Sequence, residues 1–291
     1  MSKKKNNTKS SNMSRYLTIA LLVLAGVLLQ YFLNQKEPAT ANTLPENTTE
    51  KLPETVNVSS EYASLEMPAP LPERNEQIIR HTNYTVSYNQ DWNEPNYVAW
   101  EVNSKELNKN VNRDDNFLAD PTLDLKSAVI SRDYSGSGYD RGHMCPAADN
   151  LYSRQTMEEC FYMTNMCPQN HMLNQGRWND LEIKCREWTK KYGQLYITCG
   201  PIFDETKKAR YIGREHKVRV PDSFFKVILL NNGSKPRAVG FLFDNDDSDH
   251  PESYHSIDEI ERLTGINFFF NLDDDIEDRI EAECDEQFWD F

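Results

Sequence analysis

Residues that could do chemistry together are concentrated between positions 140 and 186. The run Asp140-Arg141-Gly142-His143 follows a stretch rich in Gly and Ser, and Asn174 precedes Glu182 and Arg186. A helix that begins near Gly176 would carry Glu182 and Arg186 on one face, at positions i and i+4. Asn174 would then lie just before the helix N-terminus. An amide oxygen, a carboxylate and a guanidinium could therefore surround one point.

These side chains suit metal-assisted attack on a phosphate. A neutral imidazole such as that of His143 is a suitable general base near pH 7, because its unperturbed pKa is about 6.5. Mg²⁺ prefers oxygen ligands and keeps several water molecules, so one amide oxygen with a nearby carboxylate is a reasonable protein contribution. Arginine offers paired N–H donors to phosphate oxygens.

Each piece alone has a more ordinary explanation. His143 beside a glycine could belong to a surface turn, and Asn174 could be a helix N-cap. Glu182 and Arg186 could form an exposed i,i+4 salt bridge. Only the combination with the surrounding motifs favours a catalytic site.

The surrounding sequence resembles the DNA/RNA non-specific endonuclease family, which includes mitochondrial endonuclease G. The resemblance extends from about Tyr84 to the C-terminus, and exported bacterial members look most similar. It rests on Asp140–His143, Thr164-Asn165 with Pro168-Gln169, Leu173–Gly176 with Trp178, Leu181, Glu182 and Arg186, Arg113 with Asn116-Phe117 and Asp120-Pro121, Gly200–Phe203, Val220–Lys226, and Ile260–Gly265 with Phe268-Phe269.

The resemblance implies a fold and a role for each matching residue. The fold is α+β, a ββα-metal (His-Me finger) nuclease core on a largely antiparallel sheet. His143 would be the general base, Asn174 the sole direct protein ligand of Mg²⁺ (or Mn²⁺), and Glu182 the holder of metal-bound water. Phosphate and substrate contacts would come from Arg141, Arg186, Arg113 and Asn165. The implied reaction is phosphodiester hydrolysis in DNA and RNA, without sequence or sugar specificity.

Two other functions stay open beside this one. The first is a metal-dependent phosphodiesterase for small substrates, and the second is a catalytically silent nucleic-acid-binding module on the same fold. A zinc protein is disfavoured, because no CxxC pair is present.

Local patterns predict the elements that must position these residues. Alternating, β-rich segments predict strands at 84–88, 97–102, 161–165, 194–199, 224–230 and 238–243. The last two are joined by Asn231-Asn232-Gly233, which is typical of a hairpin. Helices are predicted over about 176–192 and 257–263. Strands and helices mix without a βαβ rhythm, which indicates an α+β fold.

The N-terminal part of the chain indicates export and a membrane anchor. Residues 1–15 form a basic tail, and residues 16–33 form an apolar run about 27 Å long as a helix, close to the thickness of a bilayer's hydrocarbon core. The positive-inside rule then predicts a single-pass cell-membrane protein with the catalytic domain outside the cytoplasm. Residues 34–75 have linker composition, and residues 76–291 form the nuclease domain. The alternative is a secreted protein cleaved near Ala41.

Charge is distributed unevenly along the chain. Eighteen acidic and two basic residues lie between Asp244 and Phe291, a balance of −16 that exceeds the −14 of the whole chain and leaves +2 for the rest. An acidic protein is an unusual partner for nucleic acid, but here the acidity is confined to the C-terminal part. One basic stretch is a candidate phosphate-binding surface: Lys207, Lys208, Arg210, Arg214, Lys217, Arg219 and Lys226.

Six cysteines follow the apolar run, and an exported protein would favour disulfides. Six cysteines allow 15 pairings, and spacing alone selects none of them. Cys145 and Cys167 each lie two residues from a motif residue, His143 and Asn165. The resemblance therefore suggests a Cys145–Cys167 disulfide, with buried free thiols as the alternative.

Overall fold

The computed structural model describes residues 64–231, 233, 235–248 and 253–291. The basic tail, the apolar run and most of the predicted linker lie outside these residues. Within the described ranges, no helix is both long enough and apolar enough to span a bilayer.

A seven-stranded sheet, antiparallel at every pairing, forms the centre of the fold. In spatial order its strands are β1 (Gln77–Arg80), β2 (Thr85–Asn89), β3 (Glu94–Asn103), β6 (Gln194–Ile202), β9 (Ser223–Leu230), β10 (Arg237–Asp244) and β11 (Tyr254–His255). This confirms the predicted α+β class with an antiparallel sheet.

Both faces of the sheet are covered, which explains why β9 is a nearly continuous apolar run. Successive side chains of a strand point to opposite faces. Trp100 and Ile228 therefore pack on one face with Trp178, and Ala99 and Val227 pack on the other.

The first face carries the small elements around the predicted site. They are β4 (Asp140–His143), α1 (Arg154–Glu159), β5 (Met166–Gln169), α2 (His171–Gln175) and α3 (Arg177–Tyr192). Strands β4 and β5 pair antiparallel, and α3 follows them in the chain, which gives a ββα unit. A further two-stranded ribbon consists of β7 (Tyr211–Ile212) and β8 (Val218–Arg219).

The second face is covered by α4 (Ile257–Thr264) and α5 (Asp274–Ala282). Ser256 caps α4 by accepting a hydrogen bond from the backbone of Glu259, and Gly265 ends it in the left-handed conformation that glycine tolerates. Ile257, Ile260 and Ile280 are the buried side chains that attach the two helices to the sheet.

The structure differs from the prediction at two places. Residues 161–165, predicted as a strand, form a turn and a short 3-10 helix at Met163–Asn165, because the buried Asn165 side chain holds this segment by hydrogen bonds to the carbonyls of Cys145 and Cys160. Residues 64–75, predicted as linker, pack against the second face, where Met67 and Leu71 are buried.

Candidate active site

Strands β4 and β5 fix the position of His143. Gly142 lies opposite Cys167, and His143 lies opposite Met166. A Cβ atom at Gly142 would lie 2.2 Å from Oε1 of Gln169, so only glycine allows the two strands to approach this closely.

His143 is 9% exposed and sits among aromatic rings. Its ring centroid is 4.7 Å from that of Phe161, edge to face, and 5.7 Å from that of Phe117. Nε2 is buried and has no hydrogen-bond partner in the described part of the chain. Burial, and secondly the charge of Arg113, lower the pKa of His143 to about 3. The imidazole is therefore neutral at physiological pH and able to accept a proton.

Asn174 lies in the last turn of α2 and is fixed by Asp140. Its amide nitrogen donates to Asp140 Oδ2 at 2.9 Å, which leaves the amide oxygen to accept a cation. The same carboxylate oxygen lies 2.9 Å from Nδ1 of His171. Asn174 is not a helix N-cap, because Gly176 occupies that position of α3.

Helix α3 begins at Arg177, as the sequence predicts, and carries Glu182 and Arg186. Arg186 does not pair with Glu182 on the surface; its Nη1 donates to Oδ1 of Asp149 at 3.1 Å, with side chains only 16% and 2% exposed. Asp149 also accepts from the Trp100 indole at 3.2 Å. Burial raises the pKa of Glu182 to about 7, and the charges of Lys226 and Arg186 oppose that rise.

Lys226 is a residue of the site that sequence analysis assigned elsewhere. It lies on β9 and is fully buried, and its Nζ is 4.0 Å from the ring centre of Trp178. Its charge acts on Glu182 and Asp149. A lysine in the middle of an apolar strand is the sequence feature that could have indicated this position, since an unpaired buried lysine is rare.

Trp178 connects the two halves of the site. Its indole nitrogen donates to the backbone oxygen of His143 at 3.3 Å, and the same side chain is close enough to Glu182 to lower the pKa of that carboxyl slightly against the rise caused by burial. The first turn of α3 is thereby held against the end of β4, which brings His143 and Glu182 into one neighbourhood.

Arg113 and Arg141 each contact one of the two aromatic rings that pack on His143. The guanidinium carbon of Arg113 is 5.2 Å from the Phe161 ring, and that of Arg141 is 5.2 Å from the Phe117 ring. Arg113 is exposed and pairs with Asp115 at 2.6 Å. Arg141 is half-buried, donates to the Ser131 backbone at 2.8 Å, and has an Nε atom without a partner.

Asn165 occupies a supporting position in this geometry. It is completely buried, and its oxygen accepts from the Cys145 backbone while its nitrogen donates to the carbonyls of Cys145 and Cys160, each at 2.9 Å. The amide oxygen and the amide nitrogen both fix the segment that follows His143. Asn165 has no exposed surface through which it could contact a substrate directly.

The predicted basic surface is divided by the fold. Lys226 and Arg219 are buried, and Arg219 bonds Glu205 at 2.9 Å. The remaining members, from Lys207 to Lys217, are exposed. Arg210 donates to the hydroxyl of Tyr139 at 2.8 Å, which places this exposed part beside the strand that carries His143.

The predicted Cys145–Cys167 disulfide is wrong. All six cysteines are free thiols, and five of them are buried. The Asn150 amide nitrogen donates a hydrogen bond to Sγ of Cys145 at 3.3 Å, and Sγ of Cys160 donates to the Met157 carbonyl oxygen at 3.1 Å. These thiols pack as small apolar side chains in the core of the first face.

Comparison with known proteins agrees with this arrangement. A profile of the DNA/RNA non-specific endonuclease family matches residues 65–275. The mitochondrial nuclease EXOG of Mus musculus is 33% identical over 79% of this chain and 66% of its own length, and that of Danio rerio is 36% identical over 68% and 62%. A nuclease of Nostoc sp. is 34% identical over 72% of this chain and 78% of its own length.

The fold is also similar to a solved structure. The crystal structure of an EndoG/EndoGI complex, which concerns the mechanism of EndoG inhibition, matches with a TM-score of 0.63 and 28% identity. The match covers 69% of this chain and 89% of that one. The chain spans 66% and 62% of the lengths of the two mitochondrial relatives. The similarity therefore concerns the shared fold, and it does not assign the activity of the whole relatives to this chain.

Proposed function

The chain belongs to the DNA/RNA non-specific endonuclease family, and from that premise we propose that it hydrolyses phosphodiester bonds within DNA and RNA. The observation that carries the proposal is the state of His143. Its imidazole is buried and neutral, Nε2 has no partner, and two guanidiniums lie nearby. A base without an internal partner, beside groups that attract phosphate, is suited to act on water near a phosphodiester.

The proposed reaction moves one proton to His143. The water oxygen forms a bond to phosphorus, one water proton passes to the imidazole of His143, and the bond from phosphorus to the 3′ oxygen breaks, so that the departing oxygen takes up a proton from solvent. A pKa of about 3 makes the free imidazole a weak base. The phosphate anion offsets the charge of Arg113, which helps to hold that pKa down, so substrate binding raises the basicity of His143 when it is needed.

The donor set fits a single Mg²⁺, with Mn²⁺ as a substitute. Asn174 offers an amide oxygen whose orientation is fixed by Asp140, and Glu182 offers a half-buried carboxylate for water molecules of the shell. An ion held there would supply positive charge that stabilises the negative charge developing during the reaction. Lys226 and Arg186 favour the ionised form of Glu182, and so keep it able to accept hydrogen bonds from those waters.

Arginine side chains bind the phosphate in this proposal. Arg113 and Arg141 lie against the aromatic rings that contact His143, and Arg186 keeps further N–H donors beside the one that Asp149 accepts. A polar cleft next to Arg113 is also lined by Lys109 and Arg154. Cations in an open cleft favour a polymer over a small phosphodiester, and contacts to the backbone alone explain low sequence specificity.

We also propose that the domain is held outside the cytoplasm by residues 16–33. The basic tail before this apolar run supports that orientation. Membrane fractions should contain the protein, and external protease should release a soluble domain. Full-length protein free in the medium and trimmed near Ala41 would instead indicate a cleaved signal peptide.

The experiment for the activity uses supercoiled plasmid, single-stranded RNA and a small aryl phosphodiester with the purified chain. Each substrate is incubated with Mg²⁺, with Mn²⁺ and with EDTA. The proposal expects internal cuts in both polymers with either metal and none in EDTA. Cleavage of the small diester alone would favour the phosphodiesterase, and binding of DNA without cleavage would favour the silent module.

A further inference from the structure

Three carboxylates meet on the face of the sheet opposite to the catalytic residues. Asp258 and Glu261 lie on α4, Glu281 lies on α5, and one oxygen of each is within 4.8 Å of the other two. Among the described residues this is the one group of three His, Cys, Asp or Glu side chains that converge in this way.

Glu281 shows that this is more than a surface cluster of acids. The residue is 6% exposed, and its Oε1 is buried without a hydrogen-bond partner in the described part of the chain. Glu261 is half-buried and uses Oε1 to accept the Phe268 backbone N–H at 2.7 Å, which fixes the orientation of its carboxylate. None of the ion pairs found between described residues involves any of the three.

The surroundings of the group disfavour the ionised forms of its carboxyl groups. Burial first, and then the neighbouring carboxylates of α4 and α5, raise the pKa of Glu281 to about 9 and that of Glu261 to about 7. Glu277 and Asp278 are among the contributing groups. An orphaned buried oxygen beside two further carboxylates needs either a proton or a cation.

We propose that Asp258, Glu261 and Glu281 bind a divalent cation with the size and oxygen preference of Ca²⁺, at a site separate from the catalytic metal. Ca²⁺ binds oxygen at about 2.3–2.6 Å, so two ligand oxygens on opposite sides of the ion lie up to about 5 Å apart. Mg²⁺ demands near-ideal octahedral geometry and usually keeps several water molecules, whereas Ca²⁺ accepts carboxylates in flexible arrangements. The limit of 4.8 Å between these oxygens is therefore within the reach of a Ca²⁺ shell.

Such an ion joins the two helices of the second face. Asp258 and Glu261 are one turn apart on α4, and Glu281 is in the last turn of α5. The ion would therefore connect two helices whose buried residues Ile260 and Ile280 belong to the same apolar cluster. The acidic C-terminal part thereby acquires a structural purpose that does not require contact with nucleic acid.

The test measures Ca²⁺ binding to the full chain after EDTA treatment, by calorimetry and by thermal unfolding. Ca²⁺ should bind and raise Tm by several degrees, since a ligand that binds only the folded state stabilises it. Glu261→Gln and Asp258→Asn should each lower Ca²⁺ affinity at least tenfold and remove most of the Tm shift. Glu261 is half-buried and Asp258 is exposed, so both variants should fold.

Two controls separate this site from the rest of the molecule. Glu283→Gln removes an exposed carboxylate just after α5 and should leave the Ca²⁺ response unchanged. Asn174→Ala should also keep the response, because it alters only the proposed catalytic metal site. The proposal is overturned by the absence of Ca²⁺ binding, or by a Tm shift in Glu261→Gln that equals the shift in Glu283→Gln.

Discussion

The first face of the sheet, which carries the proposed catalytic residues, is here called the catalytic face. On it the buried carboxylate of Asp149 lies 3.1 Å from Arg186, and the charge of Lys226 acts on both Asp149 and Glu182. On the second face, here called the acidic face, Asp258, Glu261 and Glu281 converge with no ion pair to any of them among the described residues. Desolvation makes buried charges costly unless they are paired. The catalytic face offsets its charges with residues of its own chain, whereas the acidic face depends on a proton or a cation from solution.

The largest expected effect comes from Asn174→Ala on the catalytic face. Loss of the one proposed protein ligand should lower the cleavage rate by two or more orders of magnitude, with partial recovery at high Mg²⁺. Because Gly176, and not Asn174, caps α3, thermal stability should change little. The matched control is Asn108→Ala, whose exposed amide bonds the Lys105 carbonyl outside the cleft beside Arg113. Normal cleavage by Asn174→Ala would remove the metal assignment.

Arg186→Met tests whether charges on the catalytic face are offset internally. The change leaves Asp149 buried without its partner, and breaking a buried pair costs about 3–5 kcal/mol of unfolding free energy. Arg132→Met removes an arginine from an exposed pair with Glu215 and should change stability by about 0.5 kcal/mol or less. Equal unfolding midpoints of Arg186→Met and Arg132→Met in urea would contradict the claim that Arg186 offsets the buried charge of Asp149.

The depressed pKa of His143 predicts an acid-dependent loss of stability. Between the unfolded value near 6.5 and the folded value of about 3, the unfolded chain binds a proton that the folded protein does not. Stability should therefore fall as pH decreases through this window, by at most about 1.4 kcal/mol per pH unit from this group. His143→Gln should flatten the decrease, as measured by urea unfolding at a series of pH values.

The smallest expected effect has the opposite sign and lies on the acidic face. In EDTA at pH 8, the folded protein keeps a proton on Glu281 that the unfolded chain releases, because burial raises the pKa of this carboxyl to about 9. Glu281→Gln removes the cost of keeping that proton, so it should raise stability by about 1 kcal/mol, or roughly 2–4 °C in Tm. Added Ca²⁺ should reverse the order, because it stabilises the wild type and not the variant. A Glu281→Gln protein that is less stable than wild type in EDTA would mean that the acidic face has a compensating charge.

The elements that position the site were largely predictable from local sequence. Helix α3 begins at Arg177 because Gly176 precedes an amphipathic run, and β9 and β10 follow from apolar stretches on either side of a turn. The segment at 161–165 was not predictable, because its conformation depends on hydrogen bonds from Asn165 to residues up to 20 positions away in the chain. Local β propensity carries no information about such contacts.

The residues of the candidate site were also predictable from the sequence only in part. The proposed residues His143, Asn174, Glu182 and Arg186 lie in motifs that can be read along the chain, and they are carried by β4, α2 and α3. Lys226 and Asp149 reach the site only through the register of β9 and the turn after β4. The charge of Lys226 suggested an exposed basic surface, and only the pairing of β9 with β6 reveals that it is buried beneath Trp178.

The most direct measurement of the central claim is the cleavage rate of supercoiled plasmid in Mg²⁺ by wild type, His143→Ala and His255→Ala. His255 belongs to the acidic face and pairs with Glu259, so its variant controls for loss of a histidine elsewhere. His143→Ala should cut about 10²- to 10⁴-fold more slowly while it still binds DNA and unfolds cooperatively. His255→Ala should cut at the wild-type rate. Cleavage by His143→Ala within a few-fold of wild type would contradict the account.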